Sequence, residues 1–169
     1  TLRMFGWKVL VAARKSAGSH PRSDVLSRIG AGYQSLQEQS LTEMTAGGER
    51  FDLVFDASGN AGAAFEAAHL VGINGVLCLT SITGGSQVLP VPTDKLNCEL
   101  VLGNKVIFGT VNASRIDFEN GIAHFQSIES KWPGLLQGLK TKSVSFDTAD
   151  KAFEGWGLGI KTVFKVRED

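Results

Sequence analysis

Arg14 and Lys15 stand side by side directly after an apolar run, residues 9–13. A guanidinium offers a planar fork of donors that matches phosphate oxygens two at a time, and an adjacent ammonium adds a compact point charge. The pair is a candidate anion site. In doubly wound α/β sheets, ligands bind outside the carboxyl ends of the strands. The residues that follow each apolar run are therefore the ones to weigh: Ala13-Arg14-Lys15, Ala57-Ser58-Gly59, Thr80-Ser81-Ile82 and Thr110-Val111-Asn112. The last three sets are small or uncharged, which lets a flat ring or a ribose come close to the backbone.

In dinucleotide-binding folds the second strand usually ends in an acid that accepts hydrogen bonds from the ribose 2′-OH. Ala13 occupies that place here. With no carboxylate to repel it, a 2′-phosphate could be forked by Arg14 and neutralised further by Lys15. The pattern points to NADP, with NAD left open. Two solvated cations at a strand end are the plainer alternative.

Other reactive residue types carry less. His20, His69 and His124 are dispersed, with no partner at metal-ligand spacing, so no metal site is expected in this chain. His69 is expected on a helix surface or at the core edge. Asp56 could serve as a general base, yet a carboxylate at a strand end more often accepts structural hydrogen bonds. Ser58 sits in DASGN and not in GxSxG, which argues against a nucleophile elbow. Cys78 and Cys98 have apolar neighbours and no CxxC spacing. Both are expected as buried free thiols in a reducing, cytoplasmic compartment.

The elements that must position these residues alternate. Residues 8–13, 51–57, 75–80 and 105–110 read as strands, 33–36 as a short strand and 162–166 as the last. Residues 21–29, 62–71, 93–102, 118–128 and 148–153 read as helices. Pro21 falls in the first turn of its helix, and Thr93 and Asp147 are plausible N-caps. Strands apolar on both faces, alternating with helices, argue for a parallel sheet covered on both sides. The expected fold is α/β, a Rossmann-like doubly wound parallel sheet.

The glycine loop of that fold, GxGxxG between its first strand and first helix, is absent. Gly84-Gly85 reads as a plain turn. The opening TLRMFG reads as the end of a helix, with Gly6 as its C-cap before Trp7. The expectation is an N-terminally truncated nucleotide-binding domain over residues 1–169, its first strand and glycine loop lying upstream and its sheet left with a gap.

A chain of 169 residues has one-domain length. Seventeen basic residues balance seventeen acidic ones, which speaks against nucleic acid held by bulk charge. No apolar run approaches the roughly 20 residues that span a bilayer. The opening TLRMFGWK lacks the apolar stretch and cleavage site of a signal peptide. Neither a nucleic-acid nor a membrane partner is expected. Trp7, Trp132 and Trp156 are expected in core or interface. WPGLLQGL, from Trp132, is a candidate cover for another domain or subunit, and GVLCL a candidate strand near a dimer contact.

Four segments carry a resemblance: FDLVFDASG; ELVLGNKVIFGTVNAS over residues 99–114; the Asp-Phe pair and AHF that follow it; and the closing GIKTVFKV. Over nearly its whole length the chain resembles the medium-chain dehydrogenase/reductase superfamily, zinc-dependent alcohol dehydrogenase-like. Within it, the chain is most similar to the C-terminal half of the microbial glucose 1-dehydrogenases. FDLVFDASG looks like the superfamily's fourth-strand motif. Residues 99–114 look like the glucose form, where an Asn after the strand lies near the nicotinamide.

The resemblance implies that Arg14 and Lys15 read the 2′-phosphate. It implies that Thr80, Ser81 and Ile82 line the nicotinamide end of the groove, and that Thr110, Val111 and Asn112 flank the carboxamide and its ribose. Lys161 would approach the pyrophosphate. A GroES-like catalytic domain would precede this one and carry the catalytic zinc and most sugar contacts. No catalytic residue and no zinc ligand is assigned in this chain, which alone is expected to be inactive. The implied reaction is oxidation of D-glucose at C1, with zinc as Lewis acid and NADP or NAD taking the hydride, to give the aldonolactone. A small-molecule sugar substrate and a homo-oligomer are expected. Another medium-chain alcohol or polyol dehydrogenase stays open, as does a non-catalytic nucleotide-binding module.

Overall fold

The computed structural model describes residues 1–16, 22–152 and 160–166. In chain order the elements are strand β1 (Leu10–Ala13), helix α1 (Ser23–Arg28), β2 (Gly32–Ser35), α2 (Leu41–Ala46), β3 (Phe51–Asp56), α3 (Ala61–Ala67), β4 (Val71–Leu79), α4 (Thr93–Leu102), β5 (Val106–Gly109), α5 (Arg115–Lys131), α6 (Leu135–Leu139), β6 (Lys140–Ser145) and β7 (Lys161–Lys165). Short 3-10 segments cover Ala68–Leu70 and Phe146–Ala152. All described strand pairs are parallel, which is the expected α/β arrangement. The chain divides into two compact units, one of Thr1–Glu38 with Ala113–Asp169, the other of Gln39–Asn112.

In the first unit β1 lies beside β2, with Leu10 opposite Gly32 and Ala13 opposite Ser35. A Cβ on Gly32 would stand 3.0 Å from the end of the Leu10 side chain, which would have to shift slightly to admit it. The opening turn ends as a helix end does. Gly6 is left-handed (φ 87°), its N–H donates to the Arg3 carbonyl, and the Trp7 N–H reaches back to Leu2. This turn is tied to α5: Lys131 Nζ donates to the Met4 carbonyl at 3.2 Å, and the Phe5 ring meets His124 edge-on. Helix α5 starts at Ser114, whose side chain and Asp117 form a reciprocal capping box. Strands β6 and β7 pair with each other, from Lys140 opposite Lys161 to Ser145 opposite Lys165.

In the second unit β4 runs between β3 and β5. Ala68, Val71 and Leu77 are buried, and Val54, Leu79, Leu96 and Ile107 pack against them. Full burial of a Val or Leu side chain such as Val71 or Leu77 contributes roughly 1.5–3 kcal/mol. The register slips between Phe51, opposite Val71, and Leu53, opposite Val76. The extra residues of β4 include Asn74, left-handed at φ 60°, whose N–H donates to the Gly103 carbonyl at 2.7 Å.

The described strands hydrogen-bond in three groups, β1-β2, β3-β4-β5 and β6-β7, in keeping with the expected gap in the sheet. Other expectations change. Helices α2 and α6 and strand β6 were not anticipated. The helix expected over 62–71 closes as a 3-10 turn at Leu70, and Val71 joins β4. Thr93 is the first helical residue of α4, so the cap position is Pro92, which has no side-chain donor or acceptor. Asp147 lies within the 3-10 segment and does not precede it. Both edges of β4, which holds GVLCL, are paired within the chain. Leu135 of WPGLLQGL is buried. Cys78 is buried, but Cys98 is exposed because α4 has no buried residue. Trp7 is 46% exposed, and Trp132 is half-buried with the Lys131 ammonium 5.1 Å from its ring centre. His20, Pro21, Phe153 and Trp156 lie outside the described residues.

Candidate functional site

Strands β4 and β5 end level, with Leu79 opposite Gly109. The Thr110 N–H donates to the Leu79 carbonyl at 3.0 Å and continues the ladder one step. Beyond it the two segments open a groove of about 670 Å³ lined by Leu79, Thr80, Ser81, Ile82, Gly109, Thr110, Val111 and Asn112. Small-molecule sites commonly measure roughly 300–1,000 Å³. All six residues expected at the nicotinamide end therefore come together. Ile82 and Val111 are 86% and 73% exposed, although such side chains usually find cover. Their apolar surfaces suit the faces of a flat ring.

Asn112 holds a left-handed backbone, φ 68°. Among non-glycine residues, Asn tolerates this region best because its short side chain hydrogen-bonds locally. Strain of this kind collects at ligand clamps and active sites.

Asp56, at the end of β3, braces the groove. One carboxylate oxygen accepts the Ser58 hydroxyl at 2.6 Å and the Ser58 N–H at 3.1 Å. The other accepts the Ser81 hydroxyl at 2.7 Å. Its backbone carbonyl accepts both the Thr80 N–H, at 2.9 Å, and the Thr80 hydroxyl, at 2.7 Å. Ser81 Oγ in turn accepts the Gly59 N–H at 3.0 Å. Burial pushes the Asp56 carboxyl up, but the bonds from Ser58 and Ser81 outweigh it and hold the group below its ordinary value. Asp56 is thus an ionised anchor, as its structural alternative anticipated, and not a poised base. The Thr80 and Ser81 hydroxyls spend their one donor each on Asp56, on its carbonyl and its carboxylate respectively. Toward a ligand they can only accept.

The other expected residues lie in the first unit. Arg14 and Lys15 are exposed in the bend that follows β1. Among the described residues neither side chain forms a salt bridge. The Tyr33 hydroxyl donates to the Lys15 carbonyl. Lys161 opens β7 at its amino end, opposite Lys140.

Polar links between side chains far apart in the chain escaped the sequence. Ser81 and Asp56 are 25 positions apart, and His69 meets Glu99 at 2.8 Å across 30 positions. The first left a trace, because Asp56 and Ser58 have the Asp-x-Ser spacing of a side chain that turns back on its own backbone. Among the described residues no three His, Cys, Asp or Glu side chains are grouped so as to hold a metal ion. The described residues do not fit a zinc site. Among them, too, no helix is long and apolar enough to cross a membrane.

The chain is similar to known proteins in sequence and in fold. A sequence model described as the glucose dehydrogenase C-terminus matches residues 1–166. A glucose 1-dehydrogenase of Methanocella arvoryzae is 30% identical over 165 residues, 98% of this chain and 46% of that protein. A glucose 1-dehydrogenase of Metallosphaera sedula is 32% identical over 163 residues, 96% of this chain and 43% of that protein. The chain thus spans less than half the length of these relatives. A crystal structure of Haloferax mediterranei glucose dehydrogenase, in complex with NADP, Zn and gluconolactone, superposes with a TM-score of 0.85 at 22% identity, over 99% of this chain and 47% of that one.

Proposed function

The chain belongs to the glucose dehydrogenase C-terminal family, and from that membership we propose that it is the cofactor-binding part of an enzyme that oxidises D-glucose to gluconolactone with NADP⁺. In that reaction the sugar's C1 hydroxyl gives up its proton, and the C1–H bond breaks with its electron pair going to the nicotinamide. The bound cofactor supplies the hydride acceptor. The chain's own residues bind and orient. Ile82 and Val111 cover the faces of the ring, and Asn112 meets the carboxamide with an amide that both donates and accepts. Thr80 and Ser81 accept from the ligand's N–H or O–H groups. Arg14 and Lys15 take the 2′-phosphate, and Lys161 the pyrophosphate. The catalytic zinc and most sugar contacts belong to a GroES-like domain preceding these residues in the whole enzyme, which works as a cytoplasmic homo-oligomer.

The observation that carries this proposal is the groove at the β4 and β5 ends, where apolar surface and Asn112 meet beside hydroxyls already fixed by Asp56. The deciding experiment is steady-state turnover by the full-length protein against sugars, polyols and simple alcohols, with NADP⁺ and NAD⁺ in turn. The expected result is the highest kcat/KM for glucose with NADP⁺ and a lactone product. Preference for a simple alcohol or a polyol makes the protein another medium-chain dehydrogenase. Tight NADP⁺ binding with no turnover of any substrate makes it a binding module.

A further inference from the structure

Tyr33 is the chain's single tyrosine. It lies in β2, where the register sets it opposite Val11 of β1. The strand pair closes at Ala13 and Ser35, with the Leu36 N–H donating to the Ala13 carbonyl at 2.8 Å. Had β1 run on extended, the carbonyl of Lys15 would stand about 13 Å beyond Val11 at 3.3 Å per residue. That is farther than a tyrosine opposite Val11 can reach. The Tyr33 hydroxyl nevertheless donates to the Lys15 carbonyl, at 2.5 Å. The backbone has therefore bent over the strand end at Arg14 and Lys15, and the phenol closes the bend. Ala13, one residue earlier, is already held by the ladder, so the Tyr33 bond acts on the segment that bears both cations.

We propose that Tyr33 is a positioning residue for 2′-phosphate recognition, its hydroxyl bracing through the Lys15 carbonyl the bend that presents Arg14 and Lys15. The proposal rests on the assignment of those two cations to the cofactor's 2′-phosphate. Two long cationic side chains on a loose bend lose backbone and side-chain freedom when they converge on one anion, and pre-ordering the bend removes part of that cost. NAD⁺, which has no 2′-phosphate, gains nothing from the bracing. Tyr33 would thus set cofactor choice without touching cofactor.

The test is cofactor binding to the full-length protein, measured for wild type, Tyr33→Phe, the double variant Arg14→Ala/Lys15→Ala and the triple combination. Loss of one neutral hydrogen bond predicts that Y33F raises the NADP⁺ dissociation constant about fivefold and leaves that of NAD⁺ within about twofold. Adding Y33F to the Arg14/Lys15 variant should cost nothing more, because a residue that acts through those cations has no effect without them. Equal weakening toward both cofactors, additivity in the triple variant, or no effect of Y33F where the cation variant loses NADP⁺ selectively would each overturn the role of Tyr33 and leave the cation site standing. No selective loss in the cation variant overturns both. A second measurement keeps the native fold. In protein carrying 3-fluorotyrosine, the fluorine resonance that Y33F removes should shift on adding adenosine 2′,5′-bisphosphate and stay in place with adenosine 5′-phosphate. Equal shifts with both ligands count against the proposal.

Discussion

The Ser81 hydroxyl donates to the Asp56 carboxylate at 2.7 Å, from the end of one strand to the end of its neighbour. Ser81 also accepts the Gly59 N–H. One side chain therefore ties the segment after β4 to the turn after β3. The candidate cofactor groove has a wall whose shape depends on a buried charge.

Asp56→Ala removes the acceptor of two hydroxyls and one N–H. Hydrogen bonds to a charged group are worth roughly 1.5–3 kcal/mol, and the abandoned donors lie close to water, so a loss of about 2–3 kcal/mol is expected. Denaturant unfolding at pH 7 measures it. The folded-state pKa of Asp56 is lowered, so the stabilisation is complete above the unfolded value of about 3.9 and fades as pH falls through the folded value. The gap between wild type and variant should be constant from pH 7 to 5 and close in stronger acid. A gap that widens in acid would contradict the assignment.

Glu99 gathers three basic side chains. His69 lies at 2.8 Å, Lys105 at 3.7 Å and Lys95 at 4.0 Å, and the Lys105 side chain is only 9% exposed. Burial pushes the Glu99 carboxyl up, but His69 and the two lysines together hold it below its ordinary value. Glu99→Gln keeps the shape and leaves a nearly buried ammonium without its counter-charge. The expected loss is about 1–2 kcal/mol, less than for a fully buried pair because Glu99 itself meets solvent. Its depressed pKa gives the same sign as for Asp56. The contribution is complete above about pH 4.3, the unfolded value, and fades as pH falls through the lowered folded value. Melting temperatures of wild type and E99Q at pH 7 and pH 3.5 should converge in acid.

The strands that shape the groove were plain in the sequence because apolar runs such as FDLVFD and GVLCL have short, bounded lengths. The residues after them were then legible by position alone, which is why Thr80 to Ile82 and Thr110 to Asn112 fall in one groove. Helix α2 was missed although Ser40 and Glu43 spell its capping box, because LTEMTA is too short for a helical period to emerge. Strand β6 was missed because KTKSVS has almost no apolar alternation, and its pairing with β7 is set by the chain's return path. The Tyr33 bond could not be read at all. It joins a side chain to a backbone carbonyl 18 positions away, and sequence patterns carry no signal for a bend.

If Arg14 takes the 2′-phosphate, Arg14→Ala should weaken NADP⁺ binding about tenfold or more, the worth of a charge-assisted pair between guanidinium and phosphate. NAD⁺ binding should barely change. The wild-type preference for NADP⁺ should also shrink between low and high salt, because both cations are exposed and screened. Isothermal titration of both cofactors at two ionic strengths checks this. Equal losses for the two cofactors would remove Arg14 from the 2′-phosphate site.

Asn112 separates a backbone role from a side-chain role. At φ 68° a Cβ is strained, so Asn112→Ala should cost about 1–2 kcal/mol in stability, whereas Asn112→Gly relaxes the backbone and keeps the fold. If the amide meets the carboxamide of the cofactor, the two variants should share one functional defect despite their different stabilities. KM for the cofactor should rise about tenfold in both, the worth of one or two buried hydrogen bonds. Near-normal kinetics in N112G beside a damaged N112A would mean that the residue serves only to turn the chain, with the carboxamide held by other groups.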